Sequence, residues 1–429
     1  MRKVRRGLRW GRWAFLVVLM VFPALTSSGQ IKAATTPTSG MICTVNNSTA
    51  ITLTAQAGYM GLPDGNTIYM WSYSAGGNPF QLPGPTLCVT EGQTISIVLH
   101  NTLPEAVSLI FPGQDGVLAD GAPAQPQFDQ SGTLLSLTNA AGPGGSVTYS
   151  FTAGAPGTYL YESGTNPEKQ IQMGLYGALI VRPAMGANFA YNRADSEFNP
   201  ATEYLMLLSE VDPELHQAVE RGTAYNPTTY RPRYWLINGR SFPDTIQDNN
   251  SPLLPAQPYG ALVHIKADTP AAPGKPALVR YINVGQLAHP FHPHGNHGRV
   301  IARDGQPLAT PEGEDLSYEK FLVLVGQGQT WDVTYRWTDV EGWDPSTNPI
   351  PVQLPQQQNT FFKDSATWYS GSPYLGVKGD LPNGVTSFNQ CGEYYQVWHS
   401  HALNEATNFD VGFGGMFTLE RIDPLVGCP

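Results

Sequence analysis

Six of the nine histidines in the 429-residue chain fall in two short segments, His289-Pro-Phe-His292-Pro-His294-Gly-Asn-His297 and Trp398-His399-Ser-His401. Imidazole is a good ligand for copper, zinc, nickel or iron, and a poor one for magnesium or calcium. Side chains alternate faces along a strand, so His292 and His294 project to one side, as do His399 and His401. Two adjacent strands carrying these pairs would hold four imidazoles around one point. The plain alternative, rings that merely fill polar positions at a barrel mouth, suits the isolated His100, His216 and His264, which read as surface or turn residues. His297 lies beyond the run and reads as an outer hydrogen-bond donor or a surface residue. The chain carries no Gly-rich phosphate loop, nucleophile elbow or HExxH, and the acids at 312–315 read as a solvated loop.

The elements that must position these histidines are strands. Gly 45, Pro 37 and only 14% charged residues favour β-rich architecture. Between 43 and 183, runs such as Ile51–Ala55, Thr67–Trp71, Thr94–Leu99, Ser146–Phe151 and Gly177–Val181 alternate with turn residues. Seven or eight short strands in a segment of that length suit a Greek-key sandwich or barrel. A mixed polar connector over 184–202 leads to a second β region over 203–423, through Tyr204–Leu208, Tyr234–Gly239, Ala277–Asn283, Phe321–Val325, Trp331–Tyr335 and Gly415–Leu419, with one short helix over Glu214–Gly222. Residues 348–359, rich in Pro and Gln, read as a surface loop, and 424–429 as a tail.

Residues 1–33 place five arginines and a lysine ahead of an apolar run from Trp13 to Phe22, the pattern of an export signal. The run is shorter than the roughly 20 residues a spanning helix needs, so no membrane span is expected after cleavage. Cleavage near Ala33 removes seven of the 24 basic residues and no acids, leaving 17 Lys and Arg against 34 Asp and Glu. So acidic a surface repels phosphate backbones, which argues against nucleic acid as a partner, and attracts cationic metals. In an exported protein, whether periplasmic or extracellular, Cys43, Cys88, Cys391 and Cys428 read as two disulfides, with three pairings open.

The histidine segments also carry a resemblance. His289-Pro-Phe-His-Pro-His-Gly295 resembles the HPxHxHG motif of multicopper oxidases, and the run from Trp398 to Met416 resembles their HCHxxxH…GM motif. Pro83-Gly-Pro-Thr-Leu-Cys-Val with Glu91-Gly-Gln-Thr-Ile is similar to the family's PGPT…V…GDTV segment, and Gly157-Thr-Tyr-Leu-Tyr with Gly174-Leu-Tyr-Gly-Ala-Leu-Ile-Val to its GTYWYHSH…GLYGALIV segment. The resemblance implies an all-β protein of two cupredoxin-like Greek-key barrel domains, 43–183 and 203–423. Two-domain relatives assemble as trimers with sites between subunits, which implies a homotrimer.

The departures bear on the copper sites. In the family a type 1 copper, held by a Cys, two His and often a Met, feeds a trinuclear centre held by four HxH pairs. Here Ser400 stands at the Cys position and Glu405 at the second His, while His289 and Met416 remain. Ile110 and Pro112 stand where one first-domain histidine pair would be, and Glu162 and Gly164 where the other would. A serine hydroxyl cannot replace thiolate donation, so no blue electron-entry site is expected. The four remaining imidazoles imply one type-2-like copper held by His292, His294, His399 and His401, with Zn, Fe or Mn also compatible. Glu162 reads either as a carboxylate completing that site or as a solvated or arginine-paired residue. Glu405 could serve a metal or act as a base near His289. A copper-binding protein that is not a laccase-type four-copper oxidase is the leading expectation. An oxidoreductase using the single metal, and a metal-free structural or assembly protein on the same fold, are its rivals.

Overall fold

The computed structural model describes residues 39–339 and 394–423. The export signal expected over 1–33, Cys391, Cys428, the loop expected over 348–359 and the tail expected over 424–429 lie outside the described residues. The described part is built of strands, with two short α-helices, Pro167–Gln172 and Pro213–Arg221. Among the described residues no helix is long and apolar enough to cross a membrane.

Strands between Val45 and Arg182 form a four-stranded sheet, containing Gly157–Glu162 and Tyr176–Arg182, and a six-stranded one, containing Ala50–Gly61 and Thr94–Asn101. Their inward residues, among them Leu53, Trp71, Tyr73, Ile97, Leu99, Tyr149, Tyr161 and Leu179, make one core. Strands from Glu203 to Asp423 form a nine-stranded and a five-stranded sheet around a second core of Met206, Val279, Phe291, Val333, Trp398 and Met416. Cys43 and Cys88 form a disulfide, one of the pairings the sequence left open.

The strand Glu203–Val211 explains how the two cores join, because all nine of its residues are buried. Alternation sends Tyr204, Met206 and Leu208 into the second core and Leu205, Leu207 and Val211 into a third cluster. There they meet Leu160, Tyr176 and Ala178, from the outer face of the first half's four-stranded sheet.

Polar groups cross the same junction. Arg280, fully buried, donates from Nε to Glu203 (2.7 Å) and from Nη1 to Thr158 (2.8 Å) and Asp332 (3.3 Å). Arg182 forks onto both oxygens of Glu203 at 2.6 and 2.7 Å. Tyr191, in the connector, donates to Asp332 at 2.5 Å. Within the segment 184–202, Ala190, Tyr191 and Phe198 are buried in a cluster with Leu278, Ile301 and Ala302, which anchors it to the second half.

His216 corrects an expectation. It faces inward from helix Pro213–Arg221, with Nδ1 2.6 Å from the Tyr69 carbonyl oxygen, and burial lowers its pKa to about 4. His264 lies in the strand Val263–Lys266, and His100, exposed in Thr94–Asn101, is the one of the three that fits a surface reading.

Removing one member of a buried ion network leaves the others charged and uncompensated. Arg280→Met should lower unfolding free energy by about 3–5 kcal/mol, read as a fall in the urea midpoint without a change in slope.

Candidate metal centre

Strand His289–Pro293 runs antiparallel to Tyr394–Ser400, with Phe291 opposite Ser400, His292 opposite His399 and Pro293 opposite Trp398. Alternation then divides the histidines between two faces. His289 and Phe291 point into the second core, while His292 and His294 are half-buried on the outer side. His399, buried, comes from the partner strand, and His401, exposed, directly follows that strand's end.

The four outer rings form one cluster. His292 lies 4.7 Å from His294, 5.8 Å from His399 and 5.2 Å from His401, centroid to centroid. His294 and His399 are 5.1 Å apart by the same measure, and their Nε2 atoms are 3.1 Å apart. Backbone carbonyls fix two tautomers, since a carbonyl oxygen only accepts. His292 donates from Nδ1 to Phe321 O at 2.7 Å, and His399 from Nδ1 to Ser400 O at 2.7 Å. Each neutral ring therefore keeps its lone pair on Nε2, the orientation that carbonyl contacts impose on metal-binding imidazoles. Burial, with the neighbouring histidines, disfavours protonation: the pKa of His399 falls to about 4, and that of His294 is also lowered.

Two nitrogens 3.1 Å apart suit one ion, for with metal–nitrogen bonds of about 2.05 Å they subtend roughly 98°. Among the described residues, however, no three His, Cys, Asp or Glu side chains converge as a closed metal cage. The His294–His399 pair is formed, and His292 and His401 flank it. A cavity of about 410 Å³ opens here, lined by His292, His294, Asn296, His297, Phe321 and Gln396. His297 is exposed and faces the Phe321 ring edge, as an outer residue would.

The inner face is of another kind. His289 is fully buried, its Nδ1 2.8 Å from Glu405 Oε2 and its Nε2 3.1 Å from Glu210 Oε2. Glu210 Oε1 accepts from the Tyr230 hydroxyl (2.7 Å) and the Gln286 backbone N–H (2.5 Å). A Cβ at Gly285 would run into the Glu210 carboxylate, so the glycine makes room for it. Burial works against charging His289, but hydrogen bonds to Glu210 and Glu405, and their charges, outweigh it and raise the imidazole to about 9. Met416, also expected as a ligand, is buried in the second core and meets this group through its backbone: Ser400 N–H donates to Met416 O (3.0 Å), and Met416 N–H to Glu405 O (2.8 Å).

His289, Glu405 and Met416 therefore do not join the outer four. Nor does Glu162, which makes no contact with the histidines or with an arginine among the described residues. Its backbone pairs with Ile110, and burial raises its carboxyl to about 7. At Gly164 a Cβ would meet Ile110 Cγ2 at 2.7 Å, so apolar packing fills the place of a first-domain ligand. Glu210 escaped notice in the sequence, although an acid inside the apolar run Tyr204–Val211 is a signal that something buried must pair with it.

The comparisons with known proteins agree with this fold. Residues 74–185 match the family model described as "Multicopper oxidase". The chain is 29% identical over 291 residues to an L-ascorbate oxidase of Cucurbita maxima, covering 63% of this chain and 45% of that one. It is 28% identical over 267 residues to Laccase-3 of Oryza sativa subsp. japonica, covering 59% and 38%. The chain spans less than half the length of these curated relatives. Among solved structures, a blue copper oxidase from Nitrosomonas europaea aligns over 87% of this chain and 85% of its own, with a TM-score of 0.55 and 18% identity. The multicopper oxidase mgLAC aligns over 89% and 87%, with a TM-score of 0.56 and 17% identity. The fold is the cupredoxin fold, and residues 74–185 are similar to the multicopper oxidase family over that stretch. Copper is the cofactor that this similarity points to.

The ordinary pKa of an unfolded histidine is about 6.5, below the value of about 9 that His289 has in the fold. The stability from its charge is thus fully present below pH 6.5 and lost as pH rises through about 9. Urea midpoints across that window should show the loss in the wild type and a much smaller one in Glu405→Gln.

Proposed function

We propose that the protein is an exported copper-binding member of the family with one type-2-like site on the outer face of its second barrel, and that it is not a laccase-type four-copper oxidase. The 3.1 Å approach of His294 Nε2 and His399 Nε2 carries the reading. When bound there, copper would supply one-electron redox or Lewis-acid chemistry, and zinc, iron or manganese would suit much the same donors. The chain's own contribution is to gather four imidazoles, two of them, His292 and His294, lining a cavity, and to disfavour protonation of His294 and His399. Export is supported by the Cys43–Cys88 disulfide, a bond typical of oxidising compartments.

The two-barrel division, 43–183 and 203–423, is part of this reading, and so is a homotrimer. Copies assembled around the site would cover apolar surface present on both halves: Phe128, Leu134, Leu135 and Leu137 on the first, Phe321, Leu324 and Leu403 beside the histidines. They would also supply donors that one chain leaves incomplete, Glu162 among them. Sedimentation should then give three times the mass of one chain, and a monomer would remove this part of the reading.

The absence of a convergent third donor among the described residues favours one rival, a metal-free structural protein. Copper loading followed by dialysis separates the two. We expect about one ion per chain with a type 2 paramagnetic spectrum, lost in the His399→Ala/His401→Ala double variant. Less than about a tenth of an equivalent in the wild type, with an unchanged melting temperature, would favour the structural reading. Catalytic reduction of dioxygen, nitrite or peroxide, abolished by His292→Ala, would make the site an enzyme's.

A further inference from the structure

His289 opens the strand that carries His292, and Glu405 follows the strand that carries His399 and leads into His401. The 2.8 Å bond between them links the first strand to the turn after the second inside the barrel, and Glu210 ties His289 to a third strand, Glu203–Val211. In the family that the chain resembles, a copper ion would sit on this inner face. Here it does not fit. The Cys position is Ser400, whose Oγ accepts from the Ala402 N–H, and Met416 offers only a thioether. At 2.8 Å the contact between Nδ1 and Glu405 Oε2 is a hydrogen bond with its proton between the two atoms, so an ion could reach Nδ1 only by displacing that bond.

We propose that His289, Glu210 and Glu405 form a proton-based replacement for the missing copper: a doubly hydrogen-bonded imidazolium that ties the histidine-bearing strands together and keeps metal out of the barrel interior. In the proposed triad both carboxylates are ionised and only accept, so each ring nitrogen carries a proton and donates it, Nδ1 to Glu405 and Nε2 to Glu210. The triad then carries one net negative charge. The Tyr230 hydroxyl and the Gln286 N–H, both on Glu210, offset it. No other ion pair to His289 occurs among the described residues, and the Trp235 ring lies 6.4 Å from it, centroid to centroid, in an edge contact. The ion triad thus fills electrostatically the role of a cationic metal among anionic ligands, without redox chemistry. Any electron reaching the outer histidines would have to come directly from a reductant in solution. That last consequence rests on the outer site proposed above, whereas the triad does not.

The test uses the full chain labelled with 15N-histidine, with His289 assigned by the loss of its signals in His289→Gln. At pH 8, where an ordinary histidine with a pKa of about 6.5 is neutral, both His289 ring nitrogens should show protonated shifts, and Glu405→Gln should remove one proton at that pH. A neutral tautomer in the wild type, with one unprotonated nitrogen, would overturn the proposal. A second arm adds copper(II) to Ser400→Cys, a nearly isosteric change. The restored thiol alone should give no intense blue thiolate-to-copper absorption, because Nδ1 stays with Glu405, whereas Ser400→Cys/Glu405→His should give it. A blue single variant would also overturn the proposal. Doubly protonated His289 in a protein that binds no copper on its outer face would keep the triad and remove only the outer site.

Discussion

The register between His289–Pro293 and Tyr394–Ser400 governs what this barrel can do. With His292 opposite His399, both HxH pairs reach the outer face while His289 and Phe291 face inward. A slip of one residue would exchange the faces of every side chain on a strand. It would bury His292 and His294 in a core of Trp398, Tyr335 and Val333 and expel His289 from its carboxylates. The buried neighbours Phe291 and Trp398 make that slip costly, so the apolar pattern of the inner face specifies the geometry of the outer one.

The two faces divide the electrostatics. Outside, burial and like neighbours disfavour protonation of His294 and His399, which leaves them fit to meet a metal. Inside, one imidazole between two carboxylates is charged and committed. The same residue type three positions apart thus serves opposite ends because period-two alternation gives each ring different company. The junction of the halves repeats the inner solution with Arg280, Glu203, Arg182 and Asp332, where buried charge is tolerated because each member has an opposite partner at hydrogen-bond distance.

Much of this was legible in the sequence where the cause is local. The strand Ala277–Asn283 has the bounds its apolar run predicts, and helix Pro213–Arg221 begins at the capping Asp212 and ends at Gly222, within a residue of the expected span. The gathering of four histidines followed from alternation and two HxH pairs. Missing from the sequence was company that only tertiary packing supplies. Glu405 and Glu210 lie 116 and 79 residues from the ring they share, and no local pattern pairs them. Glu162 could be read either towards the histidines or away from them, and the chain itself places it on the first half against Ile110. His216 looked like a surface residue because its helix packs against the strand of Tyr69, a contact absent from the local pattern.

The central claim is that the outer face of the second barrel can hold a metal and its inner face cannot. Anomalous diffraction at the copper edge, from crystals of the copper-loaded protein, tests both halves together. The account predicts density within bonding distance of His294 Nε2 and His399 Nε2, and none beside His289, Ser400 and Glu405. Density at Nδ1 of His289, with Glu405 turned away, would contradict it.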